Sequence, residues 1–202
     1  KARYNSLSPQ AAVRYFEKLY KDIPTNENKY AYIMALQSNG QTDQALNVMN
    51  DMLKKFPKNL ILNTTKSEIL LSGNRLSLAQ KNIEQVLNIS PRNYPASIIK
   101  AKILSSKKEF IKAEEILRDL LIGKNRDPGL WMQLSEVQRA GKNIVGYHLS
   151  RGEYYLLIGD FDNALNQFQF ALSLSGNSFQ TSETIMMKIK FAKERLSRRR
   201  SS

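Results

Sequence analysis

Hydrophobic residues along this chain fall in short stripes with helical spacing, separated by glycine, asparagine, proline and serine. The stretch RGEYYLLIGDFDNALNQFQFALSLSG, residues 151–176, contains two such apolar-striped segments joined at Gly159 and Asp160. No alternation with the period of a β-strand continues for a useful length. The pattern therefore predicts an all-α chain of short helices joined by tight turns.

Capping residues place the boundaries of these helices. The predicted N-caps include Ser8, Thr42, Ser77 and Asp127. Pro9 and Pro128 then stand at the first helical position, where a missing N–H costs nothing. The predicted helices cover residues 8–22, 27–38, 42–55, 60–72, 77–88, 94–106, 110–122, 128–140, 143–158, 161–174 and 182–198.

Small residues recur with a fixed period. Ala11, Ala45, Ala79 and Ala113 follow one another at intervals of 34 residues. Four residues after each of these alanines comes a bulky side chain, namely Tyr15, Met49, Ile83 and Leu117. Two antiparallel helices with tight turns occupy about 34 residues, and a small residue is needed where such helices cross closely. The period therefore predicts stacked helical hairpins.

The repeat contains one irregularity. Ala113 and Ala164 lie 51 residues apart, which is one and a half periods, so one helix has no partner in the simple scheme. We place this extra helix at about residues 127–140, and its expected second helix merges with the segment that follows it. The sequence therefore predicts a half-repeat irregularity near residues 127–145, with a bend in the array there.

These features resemble the tetratricopeptide repeat (TPR) family. The motif is present as His148-x-x-Arg151-Gly152-x-x-Tyr155, followed by Ala164-x-x-x-Phe168, although histidine replaces the usual tryptophan and Gly176 the usual proline. The resemblance implies a helical-hairpin solenoid of about ten helices. It also implies repeat-packing roles for Ala11, Ala45, Ala79, Ala113, Gly152, Tyr155, Ala164 and Phe168.

The resemblance further implies a partner-binding groove, because a TPR array presents the first helix of each pair on its concave face. The groove positions are the second, fifth, ninth and twelfth of each repeat. They correspond here to Tyr30, Met34, Gln37, Thr64, Glu68, Leu71, Ile98, Lys102 and Ser105, with Met132, Glu136 and Arg139 added by the half-repeat. Their mixed apolar and charged character is typical of a surface that holds a peptide or a protein partner.

The residues that catalysis requires are scarce. The 202 residues include no cysteine, which excludes disulfides, thiolate metal sites and cysteine nucleophiles. The single histidine, His148, cannot form an HExxH zinc site, which needs two imidazoles on one helix. No glycine-rich phosphate-binding motif is present. We therefore predict no catalytic residue, no metal site and no cofactor in this chain.

The net charge is +13, from 31 basic and 18 acidic residues, and such an excess attracts nucleic acid, anionic lipid or an acidic protein. Seven bases cluster near the C terminus: Lys188, Lys190, Lys193, Arg195, Arg198, Arg199 and Arg200. The same segment carries an apolar stripe of Ile185, Ile189, Ala192 and Leu196. The stripe favours a closing helix that packs on the preceding pair, so nucleic acid is the least favoured partner. No apolar run approaches the length of a membrane span.

A narrower resemblance concerns the C-terminal part. The segment HLSRGEYYLLIGDFDNALNQFQFALSLSG and the later basic helix TIMMKIKFAKERL are similar to the C-terminal end of a family of bacterial periplasmic zinc metalloproteases, which includes the β-barrel assembly-enhancing protease. The similarity is residue-specific around Arg151, Glu153, Tyr155, Gly159 and Ala164 and in the closing helix. It implies a zinc-dependent metalloendopeptidase parent whose zinc and HExxH site lie outside this chain.

This resemblance also implies a cellular role. It implies a periplasmic location, contact with the parent's own N-terminal protease domain, and partners among unfolded or misassembled outer-membrane proteins and their assembly machinery. Since the chain has no initiator methionine or signal pattern, we expect a fragment. Residues 1–7 are then a linker from a missing N-terminal domain, residues 8–198 a single TPR solenoid domain, and residues 199–202 a disordered basic tail.

Two other interpretations remain open. The main alternative is a free-standing TPR adaptor in secretion or pilus assembly, which would bind proteins without an attached enzyme. A remote alternative, motivated by the charge, is a nucleic-acid-associated basic helical protein.

Overall fold

The computed structural model describes residues 8–176 and 179–200, and in that part of the chain every regular element is an α-helix, eleven in all. The prediction of an all-α chain is confirmed. The helices are α1 (Pro9–Asp22), α2 (Asn26–Ser38), α3 (Thr42–Lys55), α4 (Leu60–Ser72), α5 (Leu76–Ile89), α6 (Tyr94–Ser106), α7 (Phe110–Gly123), α8 (Pro128–Ala140), α9 (Ile144–Leu157), α10 (Phe161–Leu174) and α11 (Phe179–Arg200).

The chain divides into two compact units, Lys1–Ile103 and Leu104–Ser202, so that the division falls within α6. The single solenoid domain over residues 8–198 stays a prediction, and the linker over residues 1–7 lies outside the described residues. At the C terminus, α11 extends beyond the predicted end at Arg198 and includes Arg199 and Arg200. The guanidinium of Arg199 donates a hydrogen bond to the carbonyl of Gly159 at 2.9 Å, which holds the helix end in place. Residues 201 and 202 lie outside the described part.

The predicted caps are confirmed where an Asp or Ser precedes proline. The Asp127 carboxylate accepts hydrogen bonds from the backbone N–H of Gly129 at 2.8 Å and Leu130 at 3.3 Å, and Ser8 caps α1 in the same way. Thr42 and Ser77 do not cap, because both residues already lie inside their helices α3 and α5. The N-cap residues there are Gln41 and Arg75, and neither forms a side-chain cap.

The early start of α3 and α5 follows from the turns that precede them. Each tight turn contains one residue with a positive φ: Gly40, Asn74, Lys108, Lys142, Gly159 and Gly176. The next residue's N–H reaches the carbonyl five residues back, as from Gln41 to Leu36 at 2.9 Å and from Asn143 to Gln138 at 2.8 Å. This is the Schellman arrangement, which ends one helix and leads directly into the next.

The same turns locate the half-repeat. The first four left-handed residues follow the 34-residue period, and the last three, from Lys142 onward, are 17 residues apart. α8 and α9 therefore form a regular hairpin, and the extra turn is at Gly159, later than the predicted region 127–145. Elsewhere in the described residues the second helix of a pair leads into an asparagine or aspartate N-cap, such as Asn59 or Asp127. At Gly159 a second tight turn replaces it, so α9 is followed by α10 after half a period.

Most of the predicted packing residues are buried. Ala45, Ala79, Ala113 and Ala164 are 0% exposed, and the bulky residues four positions later, Met49, Ile83, Leu117 and Phe168, are at most 1% exposed. The first unit of the ladder is wrong by one residue. Ala11 is only half-buried and Tyr15 is 54% exposed, whereas Ala12 is buried and Phe16 packs on the core. The reason is that α1 and α3 begin 33 residues apart, so Ala12 is the fourth residue of α1, as Ala45 is of α3.

Helix α9 approaches both of its neighbours closely because it carries two buried glycines. A Cβ atom at Gly152 would lie 2.6 Å from Cδ1 and 2.7 Å from Cζ of Phe168 on α10. A Cβ atom at Gly146 would lie 2.7 Å from Nε2 of Gln138 on α8. Tyr155 packs half-buried against the Ala164–Phe168 cluster, as its motif position predicts.

A polar network joins α7, α8 and α9 in the second unit. Nε2 of Gln138 donates to the Glu114 carboxylate at 3.0 Å, and Oγ of Ser150 donates to Oε1 of Gln138 at 2.7 Å. Arg118 and Asn143 also donate to Glu114. Burial is the largest single influence on this carboxyl and opposes its ionisation, but the donors together outweigh burial and lower the pKa of Glu114. The ionised carboxylate is therefore the form that the fold favours.

We expect Gly152→Ala to destabilise the protein, because the added methyl group would overlap the Phe168 ring. Overpacking of this kind costs about 1–3 kcal/mol, and thermal unfolding should shift down by about 2–4 °C per kcal/mol. The matched control is Gly123→Ala at the end of α7, where a Cβ atom meets nothing within 4 Å. Equal melting temperatures for the two variants would contradict the close crossing.

We expect Glu114 to contribute to acid sensitivity. Its pKa is lowered on folding, so its contribution is present above the unfolded pKa and is lost as the pH falls below about 4.3, the ordinary value for glutamate. Glu114→Gln should therefore lose less stability between neutral pH and low pH than the parent does. Urea unfolding midpoints at several pH values measure this, with the exposed neighbour Glu115→Gln as the control. Parallel pH profiles for Glu114→Gln and the parent protein would refute the assignment.

Candidate functional site

The predicted groove residues of α4 and α6 meet in one cavity of the first unit. This cavity has a volume of about 400 Å³ and is open to solvent. Four of the predicted groove positions line it, namely Thr64, Glu68, Ile98 and Lys102. Thr64 and Ile98 are equivalent positions one period apart, as are Glu68 and Lys102. Residues four apart share one helix face, so each helix contributes two of them to the same wall.

The cavity combines apolar walls with two opposite charges. Leu60, Ile61 and Pro95 line it beside the predicted residues, and Ile61 is 70% exposed. Within the described part of the chain, neither Glu68 nor Lys102 forms an ion pair. We refer to this surface as the α4–α6 groove. It can hold apolar side chains while leaving one anion and one cation for polar groups of a ligand.

The remaining predicted groove residues of the first unit do not line this cavity. On α2, Tyr30 forms a hydrogen bond with Oγ1 of Thr65 at 2.9 Å, so its hydroxyl is used within the fold. Met34 is half-buried, and Oε1 of Gln37 is buried without a hydrogen-bond partner among the described residues. Leu71 packs against the core instead.

In the second unit the predicted residues of α8 converge on a residue of α9. Glu136 pairs with Arg139 at 2.6 Å and lies 3.7 Å from the guanidinium of Arg151, which also contacts the sulfur of Met132. Arg151 was predicted only as a motif residue, and its place in this cluster was missed. Its signal is the pair of tyrosines three and four residues later, since the guanidinium lies 5.3 Å from the ring centre of Tyr155. Ser105, the last of the predicted set, is half-buried on α6.

His148 has a packing environment. Its Nδ1 lies 2.9 Å from Oε1 of Gln167, and its ring lies against Tyr147 and Phe170 at centroid distances of 4.9 and 5.4 Å. Over residues 8–176 and 179–200, no group of three or more His, Asp or Glu side chains could hold a metal ion. Nothing in this environment orients His148 toward a nucleophile.

The basic closing helix packs through its predicted stripe. Ile185 and Ala192 are 0% exposed, and Ile189 packs on the cluster that contains Phe168. Two of the bases have intramolecular partners: Lys188 pairs with Glu153, and Arg195 lies 5.1 Å from the ring centre of Phe191. None of the described helices is long and apolar enough to cross a membrane.

Comparison with known proteins defines the fold class. No family model matches the chain, and no curated protein matches it either. Solved structures do match over nearly its whole length, and they are TPR solenoids. The chain therefore has a TPR-type all-α fold.

Particular structures illustrate the likeness. A TPR protein from Parabacteroides merdae matches with a TM-score of 0.58 and 17% identity, covering 91% of this chain and 77% of that one. A thermophilic TPR protein from Thermus thermophilus matches with a TM-score of 0.56 and 20% identity over 90% of both chains. A chain of the APC/C hetero-tetramer Cut9–Hcn1 matches with a TM-score of 0.58 and 17% identity, covering 91% of this chain and 39% of that one. At these identities the likeness concerns the fold.

Proposed function

We propose that this chain is a non-catalytic protein–protein interaction scaffold that holds an extended segment of a partner in the α4–α6 groove. The observation that supports this most directly is the convergence of four groove positions on one open cavity of about 400 Å³. Such a volume accommodates a few side chains of a peptide. A TPR-type fold supports the same function, and one matching structure is itself part of a hetero-tetramer.

We further propose that the scaffold is the partner-docking domain of an envelope zinc metalloprotease involved in outer-membrane protein quality control. The proposal rests on the resemblance around Arg151, Glu153, Tyr155 and Gly159. Under it, the protein acts in the periplasm and zinc belongs to the parent's protease domain. Misassembled barrel proteins and their assembly machinery are the partners. The alternative is a free-standing TPR adaptor in secretion or pilus assembly.

The groove is tested by binding an unfolded outer-membrane β-barrel protein, diluted from urea, to the chain. We expect Ile98→Asp to weaken this binding about tenfold, because a charge replaces an apolar contact near the centre of the groove. The control is Ile111→Asp on α7, where the isoleucine is 78% exposed and lies outside the groove.

Because Ile98 is half-buried, circular dichroism must show that the variant folds. Lys102→Glu provides a second variant at an exposed residue, with the exposed Lys18→Glu as its control. If both groove variants bind as tightly as their controls, the α4–α6 groove is not the binding site.

The parent enzyme is tested by the gene. We expect the reading frame upstream of Lys1 to encode an HExxH motif on a helix, within about 300 residues, which is the size of one or two domains. Sequencing of that frame measures this outcome. A frame without the motif would refute the protease proposal and leave the free-standing adaptor.

A further inference from the structure

A second cleft of the first unit lies between α3, α4 and α5 and has a volume of about 370 Å³. None of its lining residues lines the α4–α6 groove. Its apolar members differ in depth: Leu46 and Leu70 are buried, at 6% and 4% exposed, whereas Leu78 is 56% exposed. The cleft therefore has an apolar floor and an exposed apolar residue at its edge.

The cleft carries an excess of positive charge. Three bases line it, Lys66, Arg75 and Lys81, against a single acid, Asp43. Asp43 already pairs with Arg75. Within residues 8–176 and 179–200, neither Lys66 nor Lys81 pairs with a carboxylate. The cleft thus has two ammonium groups whose charge nothing in the described chain neutralises.

The position of Lys66 makes this excess more consequential. Lys66 is half-buried, with Thr65 and Ser67 buried on either side of it along α4. An ammonium group that loses part of its hydration gains from an anion brought close to it. Side-chain amides of Asn47, Asn50 and Gln85 also line the cleft and can donate hydrogen bonds to such an anion.

We propose that this cationic cleft binds an acidic segment of a partner protein, with a carboxylate at Lys66 and Lys81 and an adjacent apolar side chain against Leu78. The apolar floor favours a protein segment over nucleic acid. No aromatic ring is among the residues that line the cleft, whereas single-stranded nucleic acid is usually held by stacking on aromatic side chains. The overall charge of +13 adds long-range attraction for an acidic partner.

The probe is a short fluorescein-labelled peptide of alternating glutamate and leucine, compared with the same peptide carrying glutamine for glutamate. Fluorescence anisotropy is measured at about 50 mM and about 150 mM salt, since screening weakens exposed ion pairs. We expect saturable binding of the glutamate peptide and at least tenfold weaker binding of the glutamine peptide, as several ion pairs would be lost.

Two lysine pairs distinguish the cleft from general charge attraction. Lys66→Gln with Lys81→Gln should weaken binding about tenfold, at about threefold for each ammonium group. The control is Lys18→Gln with Lys55→Gln, which removes the same charge from two exposed positions of the same unit. We expect this control to change the affinity less than about twofold.

Asp43→Asn provides a gain of binding that a purely structural effect would not produce. The substitution removes the resident carboxylate and frees Arg75, so the glutamate peptide should bind about threefold more tightly. Weaker binding to Asp43→Asn would overturn the proposal, and so would equal losses in the two lysine pairs. It would also be overturned by the absence of saturable binding up to about 1 mM peptide. Tighter binding of a deoxythymidine oligonucleotide that depends on Lys66 and Lys81 would show that the cleft is a nucleic-acid site instead.

Discussion

The structure depends on pairs of helices that approach more closely than two ordinary side chains permit. At each such crossing the chain places a small residue where a large one from the next turn or the next helix fills the remaining space. Gly152 against Phe168 is the most closely packed example, since even a methyl group would overlap the ring. Because α9 also carries Gly146 against α8, one helix serves two crossings, and this is what makes a half-repeat compatible with continuous packing.

The alanine ladder and the helix order could be predicted from the sequence because both follow from side-chain size at a fixed period. The tight turns could be predicted only in part. Gly40 and Gly159 are residues that favour a positive φ, but Lys108 and Lys142 have no such preference and adopt it nevertheless. There the packing of the flanking helices imposes the turn. The register of the first hairpin failed for a related reason, since two adjacent alanines satisfy the pattern equally and only packing selects Ala12.

The groove shows the same division between local pattern and tertiary contact. Helical periodicity places Thr64, Glu68, Ile98 and Lys102 on facing surfaces, and the structure joins them in one cavity. It does not determine which of the other first-helix positions remain available. Tyr30 is already hydrogen-bonded to Thr65, a residue 35 positions away. A contact of that separation has no signature in a period of 34 residues, because it depends on where two side chains meet in space.

Helix α4 connects the two surfaces of the first unit. Thr64 and Glu68 line the α4–α6 groove, whereas Lys66 and Leu70 line the cationic cleft. Residues two apart on a helix differ by about 200° in direction, so the two sets lie on opposite faces. A groove with balanced charge and a cleft with excess positive charge favour ligands of different composition. Coupling between them would require a second arrangement of α4, and buried Leu62, Ile69 and Leu70 fix this helix in the core. The two surfaces therefore act as independent sites, and a partner with both an apolar and an acidic segment would gain from occupying them together.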